Sequence, residues 1–181
     1  MIGTSSPATV VEGLLFGLAY PLTGIDHLGG AAAAAAAAAM SGGSVRLPLL
    51  FGLASLAGVR LRGFGVDVPL AELLTALFVF GSGVLLVSGR SGPAAALVVA
   101  FGVAGLAHGC AYGEHIETAA AGAFLAAIVG LAVVQVAVVA GVIHVGHEYA
   151  ARGPAPAAGF GRRVGGYVVM AGTIALLSAL A

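Results

Sequence analysis

The sequence predicts an all-α polytopic membrane bundle of six to seven transmembrane segments, the first short or half-spanning, in one domain covering residues 1–181. Three observations carry this expectation. Only 8% of residues are charged and 60% are hydrophobic, against about a quarter charged in an average soluble domain. Apolar runs recur at lengths near the roughly 20 residues that cross a hydrocarbon core. Thirty glycines interleave with Ala, Leu and Val, a composition that lets helix backbones approach closely in lipid.

The segments follow in order. Segment A, about Ala8 to Tyr20, is short, contains Glu12 and ends at Pro21. It reads as a thin first span or a half-helix entering the membrane. Segment B, about Gly24 to Met40, opens with Asp26 and His27 and continues through the alanines Ala31 to Ala39. Alanine is the best helix former but only weakly hydrophobic, which predicts a helix inside the bundle, ended by Ser41 to Ser44. Segment C, about Val45 to Val59, leads into a loop from Arg60 to Asp67. Segment D, about Pro69 to Val87, starts with proline in the first turn, where its missing N–H costs nothing, and ends at Ser88 to Pro93. Segment E, about Ala94 to Ala111, runs into a polar cluster from His108 to Glu117. Segment F, about Thr118 to Ile143, is the longest span and leads to His144, His147 and Glu148. A Gly/Pro/Ala-rich loop reaching to about Arg163 precedes segment G, about Gly165 to Leu180. No soluble domain and no fixed-period repeat is visible.

Composition also excludes several functions. The chain has no Lys, so it cannot hold a retinal Schiff base. Zero formal net charge without a polybasic tract gives no electrostatic basis for binding nucleic acid or an anionic surface. A single cysteine, Cys110, allows neither an internal disulfide nor a Cys-based zinc site, and its simplest role is packing. Met1 to Pro7 lacks the basic start of a signal peptide, so the chain is expected to insert as it stands. No G-x-S-x-G, Walker or CxxC pattern is present, and the expectation is a protein that is not an enzyme.

Arginine placement gives an orientation. Arg46, Arg90, Arg152, Arg162 and Arg163 fall on one side and Arg60 and Arg62 on the other, which favours the first side as cytoplasmic. The start of segment B and the end of segment E then share the outer face, where two polar clusters can meet. Asp26 sits in a first turn, where a carboxylate caps free N–H groups and meets the positive end of the helix dipole. His27 is not needed for capping. His108, Tyr112 and His115 stand at i, i+4 and i+7, one face of a helix if segment E continues that far. Glu114 and Glu117 lie at the outer mouth, where they could attract cations or pair with Arg60 or Arg62.

Imidazole with carboxylate suits nickel, cobalt, zinc or copper ions, whereas calcium and magnesium prefer oxygen shells. The candidate metal residues are Asp26, His27, His108, Glu114 and His115, with Tyr20, Tyr112 and Glu117 in support. Simpler roles stand beside this one. Glu114, His115 and Glu117 also fit a solvated loop, and His108 an interhelical hydrogen bond. Ionisable residues inside a membrane are nonetheless functional candidates. His144, His147 and Glu148 share a helix face on the cytoplasmic side, as an exit site or as an interfacial helix end favoured by the dipole.

Pro21-Leu-Thr-Gly-Ile-Asp-His-Leu28 and His108-Gly-Cys-Ala-Tyr-Gly-Glu114 resemble the two signature motifs of the HupE/UreJ family of hydrogenase/urease accessory membrane proteins. Those motifs read approximately His-Pro-x-x-Gly-x-Asp-His and His-Gly-x-Ala-His-Gly-x-Glu. Motif order, chain size and composition agree over nearly the whole chain. The resemblance implies a small multi-pass permease of a bacterial-type inner membrane that takes up nickel or cobalt for metalloenzyme assembly. Carried over by position, the metal-associated residues are Asp26, His27, His108 and Glu114. Tyr20 and Tyr112 stand where the family motifs have His, and His115 offers a ligand one turn from Tyr112. Two other readings stay open: a non-transporting membrane protein whose polar clusters are a structural or partner-binding network, and a transporter of another small solute. Glycine-rich helices also permit a homo-oligomer without specifying it.

Overall fold

A computed structural model describes residues 6–40, 45–90 and 93–180. Among these residues the chain is all-helical: α1 (Val10–Thr23), α2 (Ile25–Met40), α3 (Arg46–Gly63), α4 (Ala71–Ser88), α5 (Ala94–Glu114), α6 (Ala121–Ala151) and α7 (Pro154–Ala179). The expected terminator of α2 at Ser41 to Ser44 lies outside the described residues, as do Met1 to Ser5 of the chain start and Ser91 and Gly92 of the turn before α5. Three helices, α4, α5 and α6, are long and apolar enough to cross a membrane, with mean hydropathies of 1.9, 1.9 and 2.6. Helices α1 and α2 have only 14 and 16 residues, and α3 and α7 carry arginines.

Helix α2 touches each of the other six helices. Its Ala33, Ala34, Ala35 and Ala36 are fully buried, as expected for a helix too weakly hydrophobic to face lipid. Around it stand three tight pairs, α3 with α5, α4 with α7, and α1 with α6. Close backbone approach holds these pairs together. On α3 and α5, a Cβ added at Gly58 would strike the Leu106 carbonyl, and one at Gly109 would strike the Ser55 carbonyl. Cys110, packed in the same seam, donates its S–H to the Gly58 carbonyl at 3.4 Å.

The α1–α6 pair sets the geometry of the site. Gly13 lies on Ala123 and Gly17 on Ala127, so α1 runs parallel to α6. Helix α2 then continues in the same sense, its Ala39 reaching Gly146. Together α1 and α2 are two half-helices in series beside α6, whose 31 residues span about 46 Å at 1.5 Å per residue. The break falls at Gly24, which has extended backbone (φ −89°, ψ 100°).

Several helix ends differ from the sequence expectation. Pro21 does not end α1 but lies within its last turns, the helix stopping at Thr23. Helix α3 continues past Val59 to Gly63 and takes Arg60 and Arg62 into its last turn, where cations meet the negative end of the dipole. Helix α4 starts at Ala71 rather than Pro69, because Leu70 adopts left-handed backbone (φ 60°). Helix α6 absorbs His144, His147 and Glu148. The expected loop before segment G is mostly helix: α7 begins at Pro154, with the turn confined to Gly153 at φ 115°.

Candidate functional site

The break between α1 and α2 places Asp26 and His27 in the first turn of α2. Helix α5 runs through Glu114, so that His115, the i+7 position of the sequence reading, caps the helix rather than lying in it, and it brings His108 alongside. The His27 and His108 rings lie 4.3 Å apart between centroids, and they are only 8% and 1% exposed. Neither His27 nitrogen has a hydrogen-bond partner, and nor does Nδ1 of His108. Asp26 Oδ1 lies 3.1 Å from His27 Nδ1, close enough for an ion pair but without hydrogen-bond alignment. A buried polar group left unpaired costs about 1–3 kcal/mol. A cluster of three such nitrogens is therefore a strong structural exception.

A cavity of about 340 Å³ opens onto Asp26 and His27, with Tyr20, Thr23, Glu72 and Ser178 among its other lining residues. Glu72 is exposed in the first turn of α4. Phe51 packs beneath: its ring is 5.3 Å from that of His108, and it lies against Gly30, where a Cβ would come within 2.8 Å of the ring. Phe78 stacks on Phe51 at 6.2 Å, and Phe101 meets Phe78 edge-on at 5.0 Å.

The remaining predicted residues divide among other roles. Tyr20 OH lies 3.1 Å from the ring nitrogens of His115, and Nδ1 of His115 is 3.2 Å from the Ala111 carbonyl. With Nδ1–H donating to that carbonyl, Nε2 accepts from Tyr20. Tyr112 is fully buried and donates to the Ala127 carbonyl of α6 at 3.4 Å. Tyr20 and Tyr112 pack edge-on at 5.3 Å, and Tyr20 also meets His27 edge-on at 5.2 Å. The two tyrosines thus form an aromatic wall over the histidine pair, with both hydroxyls engaged elsewhere.

Glu114 and Glu117 turn to Arg62. Arg62 Nε donates to Glu117 at 2.6 Å and its Nη1 to Asp67 at 2.5 Å, with Glu114 3.9 Å away. Arg60 instead stacks over Phe64 and Phe124. Of the five candidate metal residues the structure brings Asp26, His27 and His108 together, and it places Glu114 and His115 in neighbouring networks. Among the described residues no three His, Cys, Asp or Glu side chains form a ready metal shell.

His144 and His147 line a larger cavity, about 610 Å³, along α3 and α6. Its wall is almost wholly aliphatic, and Gln135, the other polar side chain there, is tied to Ser55 Oγ at 3.1 Å. Both histidines are exposed. Phe51 lines this cavity as well, so its ring lies between the buried pair and the aliphatic space.

Sequence reasoning missed Glu72 and Phe51. A lone acid opening an apolar segment was the only available signal for Glu72, and nothing distinguished Phe51 from other core phenylalanines.

Residues 4–176 match the family described as HupE / UreJ protein, which is nearly the whole chain. No curated protein and no solved structure matches it. With both motifs meeting at one buried pair and the match running almost end to end, the chain belongs to the HupE/UreJ family, a group of nickel- and cobalt-related accessory membrane proteins.

Proposed function

We propose that this chain is a multi-pass permease of a bacterial-type inner membrane, with a divalent transition-metal ion, nickel or cobalt, as its substrate for metalloenzyme maturation. The observation that carries this reading is the buried His27–His108 pair, three of its nitrogens without a hydrogen bond and Asp26 3.1 Å from one of them. Neutral imidazole is a good ligand for these ions, and one carboxylate offsets part of their charge. With α1 and α2 taken as the halves of one broken crossing, the seven helices make six crossings.

The broken helix supports a cation in particular. The C-terminal half-turn of α1, with Tyr20, Thr23 and Gly24, borders the same cavity as Asp26. Carbonyl-rich half-helix ends are suited to cations in transporters. In this reading Glu72 and the outer acids concentrate the ion, and Asp26, His27 and His108 take over part of its shell. Because three ligands do not close around it, the ion keeps some water, which suits a site that must also release it. Phe51 bars the inward route, and the exposed His144 and His147 lie on the far side as solvated helix-end residues.

Asp26→Asn and His27→Ala should each lower cellular nickel or cobalt accumulation by at least about tenfold, in line with the effect of residues that shape a metal site, while the protein stays in the membrane. Unchanged uptake in both would reject the reading. One observation favours a second reading, a non-transporting structural network: the hydroxyls of Tyr20 and Tyr112 are already engaged within the protein. Titrating the purified chain with nickel, cobalt, copper and zinc separates the two, since a purely structural network gives no saturable binding.

A further inference from the structure

Thr75 is the exceptional hydroxyl of this bundle. Thr23, Ser82, Ser88 and Thr173 each donate to a carbonyl one turn back on their own helix, at 2.8–2.9 Å. That back-bond is the local way for a helical Ser or Thr to satisfy its hydroxyl. Thr75 is only 2% exposed, yet its Oγ1 makes no such bond and finds no other protein partner.

Its position gives this meaning. Thr75, Val79, Ser82 and Leu86 recur at helical spacing along one face of α4. That face lies on α2: Val79 sits where a Cβ on Gly29 would fall, and Val79 and Leu86 pack with Ala33 and Ala36. Helices α2 and α4 therefore run the same way, and Thr75, one turn before Val79, is level with the first turn of α2, where Asp26 and His27 stand. Glu72, on the preceding turn, already opens onto the cavity that Asp26 lines. Among the described residues, every buried side-chain nitrogen or oxygen without a partner belongs to His27, His108 or Thr75. Three helices, α2, α5 and α4, each bring unpaired polarity to the same layer.

We propose that Thr75 is a binding residue of the cation site, its hydroxyl hydrogen-bonding a water molecule that the ion retains. This rests on the permease reading above. Two imidazoles and one carboxylate leave coordination positions to water, and a neutral hydroxyl holds such a water better than it replaces it. Thr75 then fixes the hydrated side of the ion to α4, opposite the imidazoles of α2 and α5.

The test uses the purified full chain, calorimetric titration with nickel chloride, and melting curves without metal. Thr75→Val deletes the hydroxyl at nearly constant volume. It should weaken nickel binding by up to about tenfold, the upper end for a neutral hydrogen bond, and leave the metal-free protein at least as stable, because an unpaired buried hydroxyl is gone. Thr75→Ser should bind within about threefold of wild type, since it restores the donor. Thr75→Ala, a second deletion of the hydroxyl, must weaken binding in the same direction. Wild-type affinity in either folded deletion variant overturns the role of Thr75 and leaves the permease reading standing. A folded wild-type chain that binds no nickel overturns both.

Discussion

Two histidine pairs in this molecule look alike in sequence and differ in physics. His144 and His147 share a helix face at i, i+3, a spacing that suits a metal, but both are exposed at the far end of α6 beside an aliphatic groove. His27 and His108 are 81 positions apart, on different helices, and meet with ring centroids at 4.3 Å while both are buried. Water satisfies the first pair at no cost. The second holds unpaired nitrogens that each cost about 1–3 kcal/mol, a standing penalty that a merely structural core would avoid with leucine. Depth and missing partners, more than spacing, mark a site.

The sharpest way to break this contrast is to exchange the pairs as targets. His108→Leu should cut nickel uptake by at least about 100-fold, beyond the loss typical of outer-shell residues, while raising the melting temperature of the metal-free protein. His147→Ala should leave uptake within about twofold, as expected of a solvated surface group. Equal losses in the two variants would erase the distinction.

A smaller effect is expected one layer below. Gly30→Val drives a side chain into the Phe51 ring that backs His108. Overpacking of this kind costs about 1–3 kcal/mol, and the displaced ring should lower nickel affinity about tenfold by calorimetry, by the same energy scale. Tyr20→Phe removes only the hydroxyl bonded to His115. Binding should fall by no more than about threefold, since one neutral hydrogen bond contributes about 1 kcal/mol or less at a partly exposed position. Arg62→Gln breaks the outer network with Glu117 and Asp67. Affinity at the buried pair should not change, and stability should drop by about 1 kcal/mol or less, because Asp67 and Glu117 reach solvent.

Much of this arrangement was legible in the sequence. Segment B matched α2 almost residue for residue, since a polar first turn followed by nine alanines leaves few alternatives. The meeting of Asp26 and His27 with His108 followed from the arginine-based orientation, which put the start of segment B and the end of segment E on one face. The errors have physical sources. The stretch from Pro154 to Arg163 counts against a helix by composition, yet Pro154 stands at its first turn, where proline is no burden, and Gly161 and Gly165 serve contacts with Met40 and Val87. Leu70 in left-handed backbone could not be foreseen for a branched apolar residue. Thr75 and Glu72 stayed hidden because their meaning depends on the register of α4 against α2, which only packing reveals.

The alanine helix has a consequence for how the protein is made. Chains emerge from the ribosome N-terminus first, so α2 leaves it before α3 to α7. Its neighbours include α6 and α7, which are synthesised after it. Alanine gains little from lipid, unlike the leucines and valines that favour insertion by about 0.3–0.6 kcal/mol each. Helix α2 is therefore weakly held by lipid alone and is fully enclosed only once α6 and α7 have packed against it.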